Sequence, residues 1–425
     1  MNFRKGLFLS ATLLAACTHT EVKVHDPVVA SWTEINSDSV LEARAVVDTF
    51  DCPRIQIDQT LTVMKPRSPQ TNAFPILVCT AIIPQAATSA QIGHHALALL
   101  KVNPQRIMVV GDTGCRLKAG KDGEKVIQAC NDPKLWPFAK LAEVAAKWKP
   151  DLVIHVGDYH YRETECPPGD TRCQPSSAGD KYASWKEDLL NPVQPLFAAA
   201  PWVFVRGNHE NCMRGGIGWG VLIDPRPFAP CVEQTQPFQV QIGDHTLAVV
   251  DASDDANVQK SIDLVKPTPG HFQWLALHRP LLTPGVDDEA SHAVKFPKAL
   301  LKKNQRLGLV LVGHVHILSI NRFKDNRPPE VISGNSGTSL ATGSESFEKA
   351  VGIVSSCYKD FGFFTMERKG AHDWLAVAHD RDGKAVIECK YSEFIDQKSQ
   401  MDCHPADQSA VQSANDQSDH QSVGM

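Results

Sequence analysis

Apolar and polar positions change rhythm twice along this 425-residue chain. Over 22–100, short apolar runs are broken by turns. Ile55, Ile57, Leu61 and Val63 alternate with polar residues within 54–64, and 76–83 is a second such run. A period of two sends successive side chains to opposite faces of a strand, so a small β-sandwich-like domain is expected over 18–103. From Arg106 onward continuous apolar runs take over, at 107–110, 152–156, 202–205, 275–277 and 307–312. Runs of that length without polar breaks predict strands buried on both faces. Between the first two, Phe138, Leu141, Val144, Ala145 and Trp148 repeat at helical spacing behind Pro137, which predicts a helix over 137–148. Short β runs return at 351–354, 362–366, 374–378 and 385–389, expected to finish a second sheet. Residues 104–392 are therefore expected to form one large α/β (α+β) domain, followed by a polar, disordered tail over 393–425.

Two segments change this picture. Arg4 and Lys5 precede an apolar run over 7–16, too short to span a bilayer, that ends Leu14-Ala15-Ala16-Cys17. Residues 1–17 resemble a bacterial lipoprotein signal with its lipobox, which implies a lipid on Cys17; Thr18 beside it favours the outer membrane. A plain secretory signal cleaved nearby is the alternative, and both export the chain. Cysteine use agrees with export. Cys115 with Cys130, Cys166 with Cys173, Cys212 with Cys231, and Cys52 with Cys79 stand as candidate bridges. Connectivity is open on sequence, and one of Cys357, Cys389 and Cys403 is left over. A formal net charge of −5 gives no basic footprint, so no nucleic-acid partner is expected.

Candidate chemistry sits where the apolar runs end. They deliver Asp112, Asp158, Asn208, His278, His314 and His316, with Tyr161 three residues after Asp158. Gly111, Gly157, Gly207 and Gly313 precede four of these positions and are expected to let the chain turn sharply. Hard, charged ligands suit a metal pair, and a carboxylate can bridge two ions. Each motif alone has a plainer use, since Gly-Asp and Asn are common in turns. Their ordered conjunction is what points to a metal centre.

The order Asp112-x-Gly114, Gly157-Asp158-x-x-Tyr161, Gly207-Asn208-His209-Glu210, His278, then Gly313-His314-x-His316 resembles the calcineurin-like metallophosphoesterase superfamily. Gly114, where most members carry a histidine, together with Tyr161, resembles its purple acid phosphatase branch. The resemblance spans 106–320 and implies a four-layer αββα sandwich. It implies two metal ions: Fe(III) on Asp112, Tyr161 and His316, and a divalent ion (Fe, Zn or Mn) on Asn208, His278 and His314, with Asp158 bridging. It implies a phosphorylated small-molecule substrate, attacked by a metal-bound hydroxide, with acid phosphatase action on monoesters as the leading expectation. A phosphodiesterase or nucleotide hydrolase on the same scaffold, and a non-catalytic lipid-anchored binding protein, are the alternatives. His209 is expected to contact phosphate and protonate the leaving group, with Glu210 orienting that imidazole or a neighbour. His292 is a further candidate in the loop after His278. Arg206 and Arg279 could meet phosphate or serve as ion partners. His155 is expected to be structural, His160 is left open, and the His94-His95 pair is expected at the surface.

Overall fold

Continuously apolar strands demand cover on both faces, and two stacked sheets provide it. The computed structural model describes residues 26–119, 125–254, 258–283, 307–341, 352–395 and 398–406. An eleven-stranded sheet carries the parallel strands Arg106–Val110, Leu152–His155 and Trp202–Phe204 side by side. A seven-stranded sheet carries Phe272–Ala276 and Leu307–Val312, also parallel to each other.

Alternation along these strands sets the layers. Ile107, Val109 and Ile154 face Leu247, Trp274 and Leu309 in a core between the sheets. Met108, Val110 and Val153 turn the other way, onto Phe138, Leu141 and Ala145 of the helix Phe138–Lys147. That helix lies inside the expected 137–148, with Pro137 and Trp148 as its caps. On the far side of the seven-stranded sheet, Leu275 and Val310 pack with Val258 and Ile262 of the helix Val258–Leu264. Helix, sheet, sheet, helix is the four-layer αββα order. Truncating a core side chain such as Leu309 to Ala would cost about 2–5 kcal/mol, since the packed layers cannot collapse fully into the void.

Long-range pairing departs from the sequence expectations at both ends. Strands Val28–Ile35, Leu41–Val47 and Leu77–Ile82 extend the eleven-stranded sheet, the first pairing in parallel with Trp202–Phe204. Only Arg54–Ile57, Thr60–Val63, Ala90–Ile92 and His95–Ala96 form a separate four-stranded sheet. The run over 54–64 is a hairpin rather than one strand, turning at Asp58 (φ 50°). Of the late β runs, Ile353–Tyr358 joins the seven-stranded sheet. Gly362–Arg368, Asp373–Asp380 and Ala385–Ile395 instead join the eleven-stranded sheet beside Arg106–Val110. Within the tail expected to be disordered over 393–425, Lys398–Pro405 is a strand, paired with its predecessor and bridged by Cys389–Cys403, and residues 407–425 lie outside the described residues. Its polar composition hides an edge position, where half the side chains face water.

Bridges Cys52–Cys79, Cys115–Cys130, Cys166–Cys173 and Cys212–Cys231 are all present, and among the described residues Cys357 is the cysteine outside a disulfide. Cys17 lies outside the described residues. Among those residues no helix is long and apolar enough to cross a membrane.

Candidate metal centre

All seven candidate ligands converge where the strand ends of the two sheets meet. Asp112, Asp158 and His314 reach the centre by adopting left-handed backbone conformations themselves, with φ of 56°, 60° and 69°. Non-glycine residues rarely occupy that region, and the strain is held by the surrounding loops. Of the four expected turn glycines only Gly157 (φ 103°) has positive φ. The neighbouring glycines answer a demand for space instead. A Cβ at Gly207 would stand 2.1 Å from Asp158 Oδ1. At Gly114 it would stand 2.5 Å from the Tyr159 carbonyl oxygen, so no larger side chain fits there.

The ligand atoms form two groups that share one oxygen. Tyr161 Oη lies 3.0 Å from Asp112 Oδ1, 2.8 Å from Asp158 Oδ2 and 3.0 Å from His316 Nε2. His278 Nε2 lies 3.1 Å from Asp158 Oδ2, 3.1 Å from Asn208 Oδ1 and 3.3 Å from His314 Nδ1. Asp158 Oδ2 belongs to both groups.

Proton counting shows what these groups can hold. His316 Nδ1 donates to the Ser339 carbonyl at 2.8 Å, so its Nε2 turns a lone pair inward. His278 Nδ1 likewise donates to the Val156 carbonyl at 2.8 Å. The one hydroxyl proton of Tyr161 serves only one of three acceptors. The remaining contacts set lone pair against lone pair in a buried site, an arrangement that a cation between them relieves. The donor set of carboxylate, phenol, amide and imidazole oxygens and nitrogens suits first-row metal ions.

Electrostatics agree. Burial, then the charges of Arg279 and His278, hold His314 well below the ordinary imidazole value. Burial and Arg116 bring His316 down to about 3. Both imidazoles are therefore neutral and available as ligands at working pH. Burial and the charge of Asp158 push Asp112 well up. Burial also pushes Asp158 up, but His278 and His209 outweigh it and hold that carboxyl well below its usual range. Burial and both carboxylates raise Tyr161 well above 10, so ionising it needs a strongly charged cation.

His209 flanks this cluster with its ring 3.8 Å from that of Tyr161, centroid to centroid. Its Nε2 lies 3.8 Å from Asp158 Oδ2, and its Nδ1 lies 2.8 Å from Glu163 Oε1. Glu163, two residues past Tyr161, is the partner that sequence reasoning missed; only its position near the motif could have drawn attention. Arg214 Nε donates to the same Glu163 oxygen at 2.6 Å. Glu210 does not orient the His209 imidazole. It accepts the backbone N–H groups of Gly207, Asp158, Tyr159 and His160 at 2.9–3.2 Å and so shapes both ligand loops. Asp188, also missed, does the same for Cys115 and Tyr161 while paired to Arg162.

The remaining candidates divide. His155 is structural, bonded to Thr113 Oγ1 and stacked on Tyr159. His160 is buried against Trp185 and meets Ser184. Arg206 pairs with buried Asp251 at 3.1 Å, away from phosphate chemistry. Arg279 Nη1 lies 3.0 Å from His314 Nε2, on the ring edge facing away from His278. His292 lies outside the described residues.

A family profile described as calcineurin-like phosphoesterase matches residues 105–318. A search of curated proteins finds no match. Among solved structures the fold is similar to a purple acid phosphatase from yellow lupin (Lupinus luteus) seeds, at TM-score 0.61 and 14% identity. The match covers 87% of this chain and 74% of that one. It is also similar to PhoD, at TM-score 0.54 and 12% identity, covering 88% and 91%.

Proposed function

Because this chain belongs to the calcineurin-like phosphoesterase family, and so to the metal-dependent hydrolases of phosphoric esters, we propose that it is an exported acid phosphatase acting on phosphomonoesters. The observation that carries the metal assignment is Tyr161 Oη facing three acceptors with one proton. Asp112, Tyr161 and His316 would hold Fe(III), the ion whose charge best favours a tyrosinate. Asn208, His278 and His314 would hold a divalent Fe, Zn or Mn ion, and Asp158 would touch both. Two ions so held supply Lewis acidity toward phosphate oxygens and lower the pKa of water.

The chain's own groups supply the rest. Asp158 Oδ1 accepts the His209 backbone N–H at 2.9 Å, which fixes the loop carrying the imidazole. Glu163 accepts from Nδ1, while Nε2 lies 3.8 Å from Asp158 Oδ2 with Arg214 Nη2 at 2.7 Å, so for the substrate to reach Nε2 the Arg214 guanidinium must give way. In the reaction a water oxygen forms a bond to phosphorus as the ester P–O bond breaks in line, and the proton that this water gives up passes to solvent. The departing oxygen takes the proton of His209 Nε2. Burial lowers His209 to about 4, so the neutral imidazole prevails near neutral pH and the acid form gains share only as the medium is acidified toward that value.

Five disulfides among the described residues support an oxidising compartment, and a lipid on Cys17 would hold the enzyme at the outer membrane. Membrane fractionation tests this: Cys17→Ala should release the protein to the soluble fraction.

Parallel assays on p-nitrophenyl phosphate, bis(p-nitrophenyl) phosphate and ATP test the substrate class. Monoester kcat/KM should exceed the diester value at least tenfold; the reverse order makes the protein a phosphodiesterase. A visible tyrosinate-to-iron band that disappears in Tyr161→Phe supports the ferric site. A colourless protein with two divalent ions removes the iron assignment and keeps the hydrolase.

A further inference from the structure

We infer that Asp26, His94 and His95 form a second, surface site for a transition-metal dication, sharing no residue with the buried centre. Adjacent residues of a strand point to opposite faces, so two neighbouring histidines do not ordinarily converge. Here Gly93, at φ 58°, and His94 make the two-residue turn between Ala90–Ile92 and His95–Ala96. The turn swings the first ring over the second, with centroids 4.1 Å apart. Both Nε2 atoms then face the same oxygen of Asp26, which precedes His95 by 69 residues. His95 Nε2 is 2.6 Å from Asp26 Oδ2, and His94 Nε2 is 3.3 Å from it. The three ligand atoms all lie within 4.8 Å of one another.

Without an ion His95 is hydrogen-bonded to Asp26, and the spacing at His94 is the one that matches two ligands of a single ion. Metal–ligand bonds of about 2.0–2.1 Å in tetrahedral geometry put neighbouring ligand atoms about 3.3–3.4 Å apart. His94 already stands at that spacing from the carboxylate, and His95 need withdraw by only about 0.7 Å to match it. As an ion pair, the second ring gains little from an oxygen already engaged by the first. Holding the His94 side chain, 75% exposed, over its neighbour still costs rotamer freedom. A shared dication gives each ring a bond of its own. Two imidazoles and one carboxylate select Zn²⁺ or Cu²⁺ over Mg²⁺ or Ca²⁺, which prefer all-oxygen ligands. Water completes the coordination, because Asp26 and His95 are each about one-third exposed.

The site has a mechanical consequence. Asp26 leads into the first strand, Val28–Ile35, of the eleven-stranded sheet, whereas His94 and His95 belong to the four-stranded sheet. A bound ion clips the lead-in of the chain to that hairpin.

The test uses the full-length protein with its buried centre already loaded, titrated with Zn²⁺ by equilibrium dialysis and with Cu²⁺ followed by electron paramagnetic resonance. Wild type should bind one ion beyond those of the buried centre, and the Cu²⁺ spectrum should show two coupled imidazole nitrogens. His94→Gln, a change at an exposed position that spares the fold, should weaken that additional ion at least tenfold. Its buried-metal content and phosphatase activity should equal wild type. His95→Gln and Asp26→Asn should do the same. The proposal is overturned if wild type binds no additional ion, or if His94→Gln binds it with unchanged affinity.

Discussion

Glu163→Gln is the change that separates the chemistry of His209 from its packing. The side chain keeps its shape, and its carbonyl oxygen can still accept from Nδ1, but its charge is gone. Burial pushes the Glu163 carboxyl up; the hydrogen bond and charge of His209, with Arg214, outweigh that and hold it at about 2. Against an ordinary value of 4.5, that favours the charged form by about 3 kcal/mol. Two partners share that interaction, so the part acting on His209 is about 1.5–2 kcal/mol, in line with a hydrogen bond to a charged group. If this stabilises the imidazolium that protonates the leaving oxygen, kcat should fall about 10–30-fold for an alkyl phosphate. A p-nitrophenolate leaves without a proton, so p-nitrophenyl phosphate should lose less than about threefold. The assay is steady-state kinetics on both substrates at pH 5–7, with phosphate affinity by calorimetry as a control. Equal losses on both substrates, or none on either, would refute the role given to Glu163.

Three other changes probe separate parts of the molecule. Gly114→Ala puts a Cβ 2.5 Å from the Tyr159 carbonyl and should push the two ligand loops apart, lowering bound metal to one ion or less by elemental analysis. Asp158→Asn removes the charge common to both ligand groups and should cost about 1000-fold or more in kcat, several kcal/mol; full metal content with unchanged turnover would remove the enzyme assignment. Glu34, buried beside Arg44, is raised to about 8 by burial against the opposing charge of Arg44. A carboxyl raised in the fold contributes stability that is complete below its unfolded value near 4.5 and is lost as pH rises through 8. Urea denaturation from pH 6 to 9 should therefore show wild type weakening with pH and Glu34→Gln weakening less.

Short-range pattern carries much of this protein. The apolar runs at 107–110, 152–156 and 307–312 declare buried strands because burial on both faces leaves no alternating polar positions. Their polar ends declare a site because a strand end is where the chain leaves the core. Asp112, Asp158, Tyr161, Asn208, His278, His314 and His316 were all legible in this way, each within a few residues of an apolar run. Three bridges between near neighbours and Cys52–Cys79 stood as candidates too, whereas the pairing of Cys389 with Cys403 did not.

What depends on distant partners was not legible. The strands over 362–395 read as β, but their place beside Arg106–Val110 is decided by backbone pairing of partners such as Phe364 and Val109, 255 residues apart in sequence. Glu163 looks like any exposed loop acid until the fold lays it against His209 and Arg214. Asp26 and the His94–His95 pair are unremarkable in sequence and meet only because a turn and a sheet edge face each other. The sequence by itself determined which residues are candidate ligands, since that choice rests on side-chain chemistry beside a buried strand. Only the tertiary structure decided which carboxylate stands behind His209 and which acids hold the ligand loops, since those are distances between segments that no local pattern records.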